Sequence, residues 1–196
     1  TSSSQDPTHA YANTGYYDVR LTTTSDHNCT AQYDAHIRVY PTPVANFVAS
    51  NVCVGTITDF TDQSLISQGN IISWQWDFND GNTSQLQDPE NLFATTGSYD
   101  VQLVVTSDSA CTDTIVKTVD VNAYPVVDFS FLPSDGCVPL SVQFTDLTTI
   151  EPGETIATYD WQFTDGGSAV QQNPSHIFNN TGCYTITLLV SNAQGC

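Results

Sequence analysis

Trp74-Gln75-Trp76-Asp77-Phe78-Asn79-Asp80-Gly81, Gln87-Asp88-Pro89-Glu90-Asn91-Leu92-Phe93 and Gly97-Ser98-Tyr99-Asp100-Val101-Gln102-Leu103 form one stretch that decides the fold, because the chain repeats it. The third phrase occurs also as Gly15-Tyr16-Tyr17-Asp18-Val19-Arg20-Leu21 and as Gly182-Cys183-Tyr184-Thr185-Ile186-Thr187-Leu188, at offsets of 82 (97 − 15) and 85 (182 − 97). The second has partners in Gln5-Asp6-Pro7-Thr8-His9-Ala10-Tyr11 and Gln172-Asn173-Pro174-Ser175-His176-Ile177-Phe178. The first returns as Tyr159-Asp160-Trp161-Gln162-Phe163-Thr164-Asp165-Gly166. Fourteen residues after each repeat glycine stands a cysteine: Cys29, Cys111 and Cys196. Self-similarity at a fixed period is the mark of a repeat architecture.

Within a repeat the apolar period is two, which is the strand signature. Tyr99, Val101, Leu103 and Val105 alternate with Asp100, Gln102 and Val104, and Ile115, Val119 and Val121 continue beyond a Ser107–Ala110 turn. Ile57 with Phe60, and Val142 with Phe144, mark a further strand. Asp80-Gly81 and Asp165-Gly166 are hairpin dipeptides that supply positive φ. About seven short strands in ~80 residues, with no helical period, predict an all-β chain of tandem immunoglobulin-like β-sandwiches. Pro-rich joints at Tyr40-Pro41-Thr42-Pro43 and Asn122-Ala123-Tyr124-Pro125 divide it into residues 1–42, the C-terminal half of a repeat; 43–123, a complete repeat; and 124–196, a repeat lacking its last strand.

Composition narrows the function. Twenty-one Asp and Glu against 3 Lys and Arg give a formal charge of −18. A nucleic-acid grip needs clustered cations, and an anionic membrane surface repels such a chain. No apolar run nears the ~20 residues that span a bilayer. There is no signal peptide and no Met, which reads as an internal fragment or a processed chain. Six cysteines without a C-x-x-C or zinc spacing fit an oxidising, extracellular compartment.

Trp-Asp-Phe-x-Asp-Gly, then Gln-x-Pro-x-x-x-aromatic, then Gly-x-Tyr-x-Val-x-Leu resembles the polycystic kidney disease (PKD) domain, over nearly the whole chain. Asn79 replaces the family's Gly, and Gln162 and Thr164 depart in the third copy. The cysteine-bearing form, with Gly136-Cys137-Val138-Pro139-Leu140, is similar to repeats of large, gliding-associated cell-surface adhesins of Bacteroidota. That resemblance implies an extracellular mechanical or ligand-presenting stalk and no chemistry.

Trp76 and Trp161 are expected in the sandwich core with Tyr17, Tyr99 and Tyr184. Trp74 shares a face with Trp76 and is expected to pack as well. No catalytic residue, cofactor site or resident metal is expected: there is no nucleophile elbow or His-Glu-x-x-His. Asp77, Asn79 and Asp80 lack the spacing of an EF-hand. Weak calcium binding at joints is left open, with Asp59, Asp62, Asp128 and Asp146 near strand ends.

The cysteines fall at opposite ends of a sandwich. Cys53 and Cys137 lie between the first and second strands, whereas Cys29, Cys111 and Cys196 follow the sixth. A seven-residue strand spans ~20 Å, and disulfide Cα atoms lie within ~7 Å. Cys53 therefore does not reach Cys111; it is expected to staple Cys196 of the next repeat, with Cys111 pairing likewise to a preceding repeat. Cys183 breaks the pattern and is placed to close a local bond with Cys137. The expected partners are neighbouring repeats and other copies in a fibre. Two further readings stay open: a carbohydrate- or protein-binding module, its ligand unknown, and a spacer within a secreted hydrolase.

Overall fold

The computed structural model describes residues 1–196 and contains strands but no helix. The first repeat is a single antiparallel hairpin, β1 (Gly15–Thr24) with β2 (Thr30–Val39), in register from Gly15↔Val39 to Thr24↔Thr30. Arg20 pairs across it with Asp34 at 2.7 Å. Tyr16, Leu21 and Tyr33 stay exposed on this two-stranded sheet.

The second repeat is a complete sandwich. One sheet holds β3 (Phe47–Ala49), β5 (Ile57–Asp62) and β8 (Glu90–Leu92) in the order β3-β5-β8. The other adds β4 (Val52–Cys53), β6 (Ile71–Asp77), β7 (Thr83–Ser84), β9 (Gly97–Ser107) and β10 (Thr112–Asn122) in the order β4-β10-β9-β6-β7. Alternation along β9 sends Val101, Leu103 and Val105 inward, all fully buried, to meet Phe47 and Phe60 from the facing sheet beside Trp76 of the neighbouring strand β6. Val119 and Val121 of β10 complete that core. In β5 the inward residues are Thr58 and Phe60, while Ile57 points to solvent, so the sequence pairing of Ile57 with Phe60 is corrected by one position.

The third repeat rebuilds both sheets without the last strand: β11 (Phe129–Leu132), β12 (Leu140–Asp146) and β15 (Ser175–Phe178) form one, and β14 (Ser168–Ala169), β13 (Ile156–Phe163) and β16 (Ile186–Asn192) the other. Its core gathers Val142, Phe144, Trp161, Phe163 and Phe178. Here the phrase Gly182–Leu188 departs from its copies, since regular strand begins only at Ile186. The reason lies in the pairing. In the second repeat Gly97–Val101 bond only to β10, because β6 reaches no further than Gln102. With no equivalent of β10, residues 182–185 have no ladder to join. A groove of about 440 Å³ lies over Leu140, Phe144 and Tyr184.

Candidate functional site

Trp76 and Trp161 are buried, and their indole N–H groups donate to the Leu86 and Gln171 carbonyls at 2.9 and 3.0 Å. Trp74 is half-buried against the same core and donates to Asp62 Oδ2 at 2.8 Å.

Tyr99 and Tyr184 lie half-buried at the rim of their sandwiches, and Tyr17 is half-buried on the lone hairpin, which corrects the assignment of all three to the core. Each hydroxyl donates to a carbonyl four residues back: Asn13 at 2.7 Å, Thr95 at 3.0 Å and Asn180 at 2.7 Å. This is the tyrosine corner of immunoglobulin-like sandwiches. Each ring also lies against the aromatic that ends the preceding phrase, Tyr11, Phe93 or Phe178, with centroids 4.3–4.4 Å apart. The repeated Gly-x-Tyr spacing carried that signal.

Two of the four aspartates considered for calcium, Asp62 and Asp146, serve the scaffold. Asp62 accepts from Trp74, Gln87 and the Ser64 N–H, and Asp146 accepts from Gln172 and the Thr148 N–H in the same way. Burial pushes the Asp146 carboxyl up, but the donors of Thr148, Gln172 and Tyr159 outweigh it and hold it below the ordinary range. Tyr159 is raised in turn, first by burial and then by the Asp146 charge. Asp59 and Asp128 are exposed, and no three His, Cys, Asp or Glu side chains gather into a metal-sized cluster. His176 stacks on Phe163 and places a ring nitrogen 2.7 Å from Asp165, whose carboxyl that bond holds below its ordinary range. The cations are spent locally: Arg20 on Asp34, Arg38 over Tyr16 and Tyr40, and Lys117 on Asn46.

The joint between the second and third repeats is the site built for a purpose. Val52 and Cys53 run parallel to Val121 and Asn122, so Cys53 stands beside the strand end from which the chain crosses over. From the other side comes a tight hairpin. Asn192 N–H bonds to the Cys196 carbonyl at 2.8 Å, and Gly195 takes the left-handed conformation at φ 89°. Cys53 and Cys196 are bonded across the joint, with Cα atoms 5.6 Å apart.

Polar contacts close around that bond. Asn192, 2% exposed, uses its whole side chain: Nδ2 donates to the Ala123 carbonyl and to Glu154 Oε2, while Oδ1 accepts from the Gln194 and Cys196 N–H groups. Glu154 Oε1 accepts from the Ala123 N–H at 2.8 Å, and Thr96 donates to Glu151 at 3.0 Å. A buried donor left alone costs ~1–3 kcal/mol, so Glu154 answers a need. The earlier joint has Pro41 at the place of Ala123, and proline has no N–H to satisfy.

Cys29, Cys111, Cys137 and Cys183 are free. The local Cys137–Cys183 bond is therefore not formed. Cys183 stands three residues before β16 and lines the groove, whereas Cys137 is exposed outside the groove's lining.

Two-sheet cores each built around one buried Trp, tyrosine corners, and a covalently closed crossing define a tandem array of immunoglobulin-like β-sandwiches. The chain belongs to the PKD domain family, whose model matches residues 40–123 and 122–196. It is 29% identical over 156 residues to the pre-pro-metalloprotease PrtV of Vibrio cholerae, covering 78% of this chain and 16% of that protein. It is 36% identical over 97 residues to a microbial collagenase of Vibrio alginolyticus, covering 50% of this chain and 12% of the enzyme. The chain thus spans under a fifth of either relative. Among solved structures, the PKD1 domain of PrtV is 38% identical, covering 41% of this chain and 96% of that one, with a TM-score of 0.38.

Proposed function

We propose that this chain is a non-catalytic spacer outside the cell, whose repeats hold a larger protein's working parts at a fixed distance. The observation that carries this reading is the Cys53–Cys196 bond across the repeat boundary. A disulfide there restricts rotation at the joint, and disulfides persist in oxidising surroundings. Glu154 and Asn192 lock the same crossing with hydrogen bonds. In this reading the parent is an adhesin or surface filament with many such repeats in line.

A second reading has a specific observation in its favour: the named relatives are a metalloprotease precursor and a collagenase. Here the repeats are accessory spacers beside a catalytic domain. Electron microscopy of the native parent, with its intact mass, separates the two. A long, evenly beaded thread supports the filament. A few beads beside one large globule support the accessory role, and the globule is then assayed for proteolysis. Repeats that tumble independently in either case would overturn the rigid spacer itself.

A further inference from the structure

Lys117 is the one lysine in a chain of 21 Asp and Glu. Carboxylates pair with Arg20, His27, His36 and His176, yet none pairs with Lys117. Alternation along β10 turns Asp113, Ile115, Lys117 and Val119 toward the inside of the second repeat. The lysine is half-buried there, its amine 5.2 Å from the centroid of the buried Phe47 ring. That amine donates to two neutral oxygens, the Phe47 carbonyl and Asn46 Oδ1, the latter at 2.7 Å. Charged groups seldom leave water without an opposite charge beside them, so a lysine parked on an amide needs a reason.

Asn46 is held still. Its N–H donates to Ser64 Oγ at 3.0 Å, and its carbonyl accepts from the Gln63 N–H at 2.8 Å and from the Ser64 hydroxyl at 3.2 Å. Asp113 Oδ2 accepts from the Ala45 N–H at 2.8 Å, which ties the segment entering β3 to the face of β10 that carries Lys117. Asn46 Cγ is bonded to Oδ1 at ~1.2 Å, so it lies within ~4 Å of the lysine nitrogen. A reacting pair needs ~3–3.5 Å, and the broad torsion of a carboxamide supplies the difference. The fold itself does not demand this arrangement. In the first copy, 82 residues earlier, Ala31 (113 − 82) and Ala35 (117 − 82) stand for Asp113 and Lys117, and in the third Asp128 precedes Phe129 where Asn46 precedes Phe47.

We propose that Lys117 and Asn46 close an isopeptide bond, a covalent cross-link between the entry to the first strand and the last strand of the second repeat. The neutral lysine amine attacks Asn46 Cγ. The Nζ–Cγ bond forms, the Cγ–Nδ2 bond breaks, and Nδ2 leaves as ammonia with one proton taken from the amine. One primary amine and one carboxamide thus become one secondary amide and one ammonia, and no oxidant or cofactor is consumed. Folding supplies the rate advantage, because it holds the two groups in one geometry. The bond lies within a single repeat and resists reducing agents, so it serves a filament and an accessory spacer alike.

The test is the intact mass of the folded chain after reduction, followed by peptide mapping with a protease that spares lysine. The expected mass is one ammonia below that of the sequence, with a branched peptide joining Asn46 to Lys117. Lys117→Arg and Asn46→Ala should each restore the full mass, and circular dichroism checks that each variant folds. The measurement on the unaltered chain decides the matter by itself if they do not. A full mass in the folded protein would overturn the proposal. So would ammonia loss without a branched peptide, which marks a succinimide at Asn46, or ammonia loss that persists in Lys117→Arg.

Discussion

Replacing both sulfurs of the staple, Cys53→Ala with Cys196→Ala, should destabilise the third repeat by about 4 kcal/mol. With the second repeat folded, unfolding the third alone frees Tyr124 to Cys196, a stretch of 73 residues. The staple returns the far end of that stretch to Cys53, beside the point where it left the second repeat. Closing a loop of this size removes about 15 cal/mol/K from the unfolded ensemble, which is ~4 kcal/mol at 25 °C. In a domain this small each kcal/mol moves the midpoint by ~4–8 °C, so its melting should fall by roughly 15–30 °C. Differential scanning calorimetry reads the shift, and Trp161 fluorescence assigns it, because Trp74 and Trp76 both belong to the second repeat. Double replacement leaves neither half of the staple as an unpaired thiol, and mild reduction of the native protein should reproduce the effect. A shift below about 3 °C would mean that hydrogen bonds alone hold the crossing, contrary to the loop calculation. Equal shifts in both repeats would mean that they melt as one unit, with no free 73-residue stretch to constrain.

Thr58→Val should stabilise the second repeat by ~1–2 kcal/mol in a urea titration, because Thr58 Oγ1 is buried with no partner. Val142 already fills the matching place in the third repeat. Tyr184→Phe removes the bond to the Asn180 carbonyl and should cost ~1 kcal/mol by the same assay, with no change in strand content. Glu154→Ala leaves the Ala123 N–H without its acceptor; it should cost ~1–3 kcal/mol and broaden the distance distribution seen by small-angle scattering. Asp165 and Asp146 are held below the ordinary carboxylate range in the folded state. Their contribution is therefore complete above the unfolded value of ~4 and disappears as pH falls through the lower folded values. Thermal melts between pH 6 and 2 should show this acid loss, and Asp165→Asn should flatten part of it.

Repetition made the sandwiches legible, because three copies of one phrase separate the alternating core from incidental apolar residues. Trp76 and Trp161 could be placed that way. Details that depend on a partner strand could not. Gly182–Thr185 copies a strand phrase, yet such a segment becomes strand only when something lies beside it. Ile57 looks more buried than Thr58, but pairing with β3 and β8 sets the face, and a one-residue slip inverts it. The tyrosines looked like core because they are large; their hydroxyls, which need an acceptor, keep them at the rim. At the joint, strand length excluded a Cys53–Cys111 bond and the end-to-end order of a tandem array pointed to Cys196, while Glu154 and Asn192 carried no motif. Their roles arise only when two repeats meet.

The bond between Cys53 and Cys196 also redraws the route that tension takes. When the two ends of this chain are pulled apart, the pull passes from the second repeat's first residues to Cys53, then through sulfur directly to Cys196. The residues between them are bypassed and cannot be drawn out while the bond lasts. A separation of 143 residues corresponds to ~480 Å of contour length withheld from extension. Even with both sandwiches unfolded, the chain would thus lengthen little under a pull, and reduction of one bond would release the whole reserve.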